Sequence, residues 1–234
     1  MTILKQQSQG PLLKSVRRLT NAAVPVVTVA EIKNSLRINA SVTNDDTLLA
    51  EYVATATRLI ENKLGLVMID QTFRVSWDTL PRTQIIDALA GHSSSLGFSD
   101  YHLGSNPLTI FYAITDNMNL GLYPVTAVDK FAYYDDENNE NIWASSNYVL
   151  DAESRPSRVS KLPNGSWFTG PFLKSSAVRV EVTAGFGAAS TDVPPELKMA
   201  VLRFAEYLYE NRGCDLSIPA SVWGMVSDWR VYRL

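Results

Sequence analysis

VTAGFGAASTDVPPELKMAVLRFAEYLYENRG, residues 182–213, opens like a nucleotide-binding turn and closes like a packing helix. Gly185-x-Gly187-x-x-Ser190 follows the alternating apolar run Ala177–Thr183 and precedes a helix signal at Pro194-Pro195-Glu196, since proline is well suited to the first helical turn. As a dinucleotide fingerprint the stretch fails on three counts. Ser190 replaces the third glycine, and the helix starts several residues late, so its N-terminal amides would miss a pyrophosphate held by the loop. Few residues follow Gly213, which leaves no room for further βαβ units. The geometric reading is that Gly185 and Gly187 permit positive φ where a strand turns toward a helix. Two apolar stripes follow: Leu197, Val201, Phe204 and Leu208, and beside them Leu202, Ala205 and Tyr209. That width predicts a helix packed on two sides, against its own fold and a neighbouring subunit, or a fully buried one. Leu202, Ala205 and Tyr209 are the subunit-interface candidates.

Outward from this stretch, Thr28-Val29-Ala30-Glu31 is a capping-box pattern that predicts a short helix ending near Asn39. Asp45 and Asp46 suit the positive end of a second helix, whose apolar face runs Leu48, Leu49, Tyr52, Val53, Ala56, Leu59, Ile60, Leu64 and stops at Gly65. From Gln71 the period becomes two. Strands are predicted over Thr72–Trp77, Leu108–Ile114, Val128–Tyr134, Tyr148–Leu150 and Ala177–Thr183, with a hairpin loop at 135–139 and a Gly/Ser-rich loop at 90–106. Pro219 starts a last short helix with Val222, Val226 and Trp229 on one face. The ending, WRVYRL, is dense in the residue types that concentrate binding energy at interfaces; Trp229 and Tyr232 either dock the tail on the core or meet a partner. The expected fold is α+β: a helical bundle from residues 25–69 and 190–234, an inserted antiparallel β-rich domain at 70–189, and a flexible arm at 1–24.

Composition excludes several function classes. The chain has 234 residues, 46% hydrophobic and 19% charged, an ordinary globular balance. No apolar run approaches the ~20 residues of a membrane span, and no secretory signal is read at the start. Cys214, the single cysteine, forms no internal disulfide, which suits a reducing compartment. The net charge of −3 does not suggest a nucleic-acid binder. Charge is unevenly placed, however: residues 1–37 are basic and residues 100–153 strongly acidic, which suits head-to-tail self-association, a charged partner, or merely solvated loops. Asp135, Asp136 and their acidic neighbours lack calcium-loop spacing, and His92 and His102 lack a zinc pattern, so neither a metal nor a cofactor is expected. With no G-x-S-x-G elbow and no P-loop, an enzyme is not expected. The alternative in another class is a carbohydrate- or small-molecule-binding module built on Trp143, Trp167, Tyr133 and Tyr134. A metal-dependent hydrolase using Asp135, Asp136, His92 and His102 is a third reading.

In order along the chain stand VTVAEIK (27–33), LRI (36–38), DDxLL (45–49), IENKLG (60–65), QTF (71–73), PVxxV (124–128), YYD (133–135), YxLD (148–151), VxVTAGFG (180–187), VP (193–194) and YENR (209–212). Together they resemble the head–tail connector proteins of tailed bacteriophages, in a longer form with a β-rich insertion, from about Val24 to Leu234. The 90–106 excursion departs from that pattern, since such proteins usually turn more tightly there. The resemblance implies a structural virion protein at the head–tail interface, made in the host bacterial cytoplasm. It also implies a ring of about a dozen copies under the portal, extending the DNA channel and docking the next connector or tail protein. DNA would pass through the lumen without base-specific contact. By that analogy the portal-contact candidates are Trp223, Trp229, Arg230, Tyr232 and Arg233.

Overall fold

The computed structural model describes residues 15–78, 82–86, 110–114, 117–163, 165, 167–168, 173, 175–212 and 216–230. In chain order the elements are β1 (Ser15–Arg18), α1 (Val29–Leu36), α2 (Asp46–Leu64), β2 (Gln71–Trp77), β3 (Arg82–Ile86), β4 (Ile110–Ile114), β5 (Asn117–Asn119), β6 (Val125–Tyr134), β7 (Glu140–Ile142), β8 (Tyr148–Asp151), β9 (Arg158–Lys161), β10 (Val178–Ala184), α3 (Pro195–Glu210) and α4 (Ala220–Val226), with short 3-10 turns at Ser145–Asn147 and Ser227–Trp229. The fold is α+β, with every strand pair antiparallel.

The helices form where their caps predict. The Glu31 amide donates to Thr28 Oγ1 at 3.3 Å while the Thr28 amide donates to Glu31 Oε2 at 2.7 Å, the reciprocal capping box. Helix α1 ends at Arg37 in the left-handed conformation, two residues short of Asn39. Gly65, at φ 76°, closes α2 with its amide on the Glu61 carbonyl. One helical stripe of α2 (Leu49, Val53, Ala56, Ile60, Leu64) meets Leu197, Val201, Phe204, Ala205 and Leu208 of α3, all essentially inaccessible to water. Each of the larger side chains among them contributes about 1.5–3 kcal/mol of burial, so that together they far outweigh the caps. Among the described residues no helix is long and apolar enough to cross a membrane.

The main sheet runs β1-β2-β10-β6-β7, and the other described strands form a β5-β9-β8 sheet and a two-stranded β3-β4 sheet. Strand β10 alternates strictly. Val178, Val180, Val182 and Ala184 face the core, and Arg179, Glu181 and Thr183 face outward. A second apolar cluster, drawn from residues 67–184, fills this region, while the first draws on 26–69 and 193–226.

Two expectations are corrected. The flexible arm does not extend to residue 24. Ser15–Arg18 is an edge strand on β2, the Leu19 amide reaches the Thr72 carbonyl at 2.8 Å, and Thr20 Oγ1 accepts the Thr72 amide at 2.8 Å. Four residues are too short to show a period, and the partner strand lies more than fifty positions downstream, so no local signal marks β1. Strands β3, β5, β7 and β9 were likewise not predicted; at three to five residues each they carry too little alternation to be read, although β4, β6, β8 and β10 fall where expected. Helix α3 stops at Glu210 rather than Gly213. Residues 1–14, the 90–106 excursion with His92 and His102, and Cys214 lie outside the described residues.

Candidate assembly interface

The Gly185-Phe186-Gly187 turn is a junction, and the amides of Gly185 and Phe186 are already used. Gly185 donates to the Pro124 carbonyl and Phe186 to the Met68 carbonyl, each at 3.0 Å, and the Gly187 carbonyl accepts the Asp70 amide at 3.0 Å. The Asp192 carboxylate takes the Ala189 amide at 2.9 Å. A loop whose amides meet carbonyls, with a carboxylate seated in it, offers no anion cradle. Gly185 has φ 151°, as expected. Gly187 is needed for a different reason from the one predicted. It has no positive φ, but a Cβ there would lie 2.3 Å from Asp192 Oδ2.

Phe186 projects from this junction to the C-terminal segment. Its ring meets Trp229 edge-on, centroids 5.7 Å apart, and Tyr123 edge-on at 6.3 Å. The Arg155 guanidinium lies 4.8 Å from the Tyr123 centroid and 5.0 Å from that of Trp229, closing a four-membered cation–aromatic clasp. Trp229, a portal-contact candidate, is therefore half-buried as an internal anchor packed against the helical core. Trp223 is half-buried against the helical core, with exposed Gly224 and Met225 beside it, and Arg230 is exposed. Tyr232 and Arg233 lie outside the described residues.

The subunit-interface candidates divide in the same way. Ala205 is fully buried in the chain's own helical core and has no surface to offer a neighbour. Tyr209 is tied internally. Its hydroxyl donates to Asp45 Oδ2 at 2.8 Å and its ring meets Tyr52 edge-on at 6.5 Å, so α3's end is pinned to the start of α2. The Asp45 hydrogen bond pushes the Tyr209 pKa up. Leu202 is half-buried, and Met199, one turn earlier, is 44% exposed.

Several functional-looking residues carry no open site. Trp143 and Trp167 are 6% and 8% exposed and stack on each other at 4.9 Å, and Tyr133 stacks on Phe168 at 4.2 Å. The Tyr134 hydroxyl donates to Glu140 and its ring is covered by Arg179. The sugar-platform reading thus loses its surface, because Trp143 and Trp167 fill the β core, Tyr133 packs against it and Tyr134 is taken up by Glu140 and Arg179. Asp135 caps its own turn through the Glu137 and Asn139 amides. Among the described residues no group of three or more His, Cys, Asp or Glu side chains is gathered as for a metal ion.

One residue was missed altogether. Glu61, 4% exposed, accepts the Met68 amide at 2.9 Å and Arg18 at 3.1 Å, joining α2, the turn into β2 and the β1 edge. Burial pushes its carboxyl up, against the lowering pull of the Met68 amide and Arg18. The available signal was a carboxylate one turn before Gly65, flanked by Ile60 and Leu64 of the apolar face.

Residues 26–93, from α1 through β3, match the model of the phage gp6-like head-tail connector family. That match covers less than a third of the chain. Solved structures share the fold across nearly the whole chain. A chain in the neck of an empty GTA particle computed with C6 symmetry gives a TM-score of 0.67 at 22% identity, covering 94% of this chain and 97% of that one. A chain of the virion of a native gene transfer agent (GTA) particle gives 0.65 at 20% identity, covering 94% and 96%. A chain in the neck of a native GTA particle computed with C12 symmetry gives 0.64 at 21%, covering 94% and 97%. No curated protein sequence matches the chain.

Proposed function

We propose that this protein is a structural head–tail connector of a phage-like virion. Copies form a ring beneath the portal, extend the DNA channel and dock the next connector or tail protein. The observation that carries this reading is the connector-family match joined to a fold likeness over 94% of the chain with a neck protein. The C6 and C12 symmetries of those necks support a ring. The two separate apolar clusters support a helical body from 25–69 and 190–234 with a β-rich insertion at 70–189. The portal-facing residues are Trp223, Arg230, Tyr232 and Arg233, while Trp229 anchors its own segment inside the fold. DNA passes without base-specific contact, and the protein is made in the host cytoplasm before joining the particle.

Native mass by light scattering, with and without the portal protein of the same genome, tests this. A ring-sized mass, or a monomer that joins the portal in many copies, is expected. A monomer indifferent to the portal refutes the reading.

A further inference from the structure

The two edges of the main sheet are opposite in charge and alike in pattern. At one edge stands β1, Ser15-Val16-Arg17-Arg18, which holds Arg17 and Arg18 and no acid. At the other stands β7, which with its hairpin spans residues 135–142 and holds Asp135, Asp136, Glu137 and Glu140 and no base. Across the solvent-facing side runs a charged row: Arg17 opposite Arg74, Arg74 opposite Glu181, Glu181 opposite Lys130. Arg74 pairs with Glu181 at 2.6 Å and Lys130 with Glu140 at 2.7 Å. The row starts on a cation at one edge and ends on a carboxylate at the other.

Strand direction and spacing add to this. Successive antiparallel pairings make β1 and β7 run the same way. On each edge a charge is followed two residues later by an exposed apolar side chain. Leu19, 38% exposed, follows Arg17, and Ile142, 59% exposed, follows Glu140. Alternation puts all four on the same side of the sheet. From these facts we infer that β1 of one copy pairs in parallel with β7 of the next, Arg17 beside Glu140 and Leu19 beside Ile142, so that the sheets of successive copies join into one belt. The inference rests on the ring reading above.

Charge decides between this and its competitors. Two-fold pairing of β1 with β1 sets arginine against arginine, and β7 with β7 sets carboxylate against carboxylate, both unfavourable. Antiparallel pairing of β1 with β7 puts Arg17 beside Ile142 and Leu19 beside Glu140. Charges that merely guarded the edges against pairing would not come with exposed Leu19 and Ile142 beside them. Only the head-to-tail parallel register satisfies both the charged and the apolar residue.

The test uses the full chain with Cys214→Ser, Leu19→Cys and Ile142→Cys, assembled alone or on the portal and treated with a short bis-maleimide. A covalent ladder of successive oligomers is expected. An equal mixture of the two single variants should yield one dimer containing one copy of each. Homodimers from either single variant alone overturn the head-to-tail arrangement. An assembled ring that gives no ladder overturns the edge pairing and leaves the connector reading standing, whereas a chain that stays monomeric with and without portal sinks both. Independently, Arg17→Glu, which alters an exposed side chain, should raise the concentration for half-assembly about tenfold, with Arg17→Lys unchanged. No effect of Arg17→Glu overturns the proposal.

Discussion

Three glycines should respond to the same substitution in three different ways. At Gly185 an added methyl would lie 2.4 Å from the Asp70 amide nitrogen and 2.6 Å from its Cα, both backbone, at φ 151°. The collision costs about 1–3 kcal/mol and the backbone strain about 1–3 kcal/mol more. Gly185→Ala should therefore destabilise by ~4 kcal/mol, a fall in Tm of about 10 °C for a chain this long. At Gly187 the obstacle is the Asp192 carboxylate, 2.3 Å away, which can swing aside if it releases the Ala189 amide. Losing that hydrogen bond costs about 1 kcal/mol. At Gly224, inside α4, nothing lies within 4 Å. Alanine there removes the helix penalty of glycine and should stabilise by about 0.5–1 kcal/mol. Guanidinium and thermal unfolding followed by circular dichroism read all three. If Gly185→Ala costs no more than Gly187→Ala, the close backbone approach at this junction is wrong, and with it the account of how the sheet hands over to α3.

Trp229→Ala should destabilise the fold by about 2 kcal/mol, because a half-buried ring with aromatic and cation contacts is lost; a variant as stable as wild type would show that the tail is not anchored. Because the Glu61 pKa is raised by folding, the stability linked to its protonation is fully present below its unfolded pKa and is lost as pH rises through the folded value. Glu61→Gln removes that slope, so the variant's stability relative to wild type should improve from pH 4 to pH 8 in denaturation series; a constant difference contradicts the burial argument. Asp151, held by Ser154 first and Arg158 second, has its carboxyl lowered to about 2. Its carbon-13 carboxyl resonance should titrate there, and the linked stability, present above the unfolded value, should fade as pH drops from 4 toward 2; an ordinary midpoint near 4 would sink that assignment.

The helices were legible because their determinants are local. Thr28 and Glu31 cap within one turn, Gly65 sits where α2 must stop, and the stripes of α2 and α3 need only the helical period. The long strands β2, β6 and β10 were legible for the same reason. The candidate interface was only partly so. Residue types marked the tail as rich in binding chemistry, but Trp229 and Tyr232 are equally suited to anchoring or to docking, and type alone does not separate the two.

The sequence by itself determined the mixed class, the cap and stripe of each long helix, the failure of the glycine-rich turn as a phosphate loop, and the ordered motifs that resemble a connector. Tertiary structure decided what those residues are used for. It sent Ala205 and Tyr209 inward, turned Trp229 into an anchor through Phe186 and Arg155, buried Glu61 against Arg18, and placed a basic edge and an acidic edge at opposite ends of one sheet. Each of these outcomes depends on partners between about thirty and 165 positions away along the chain, a range over which no local period or cap carries information.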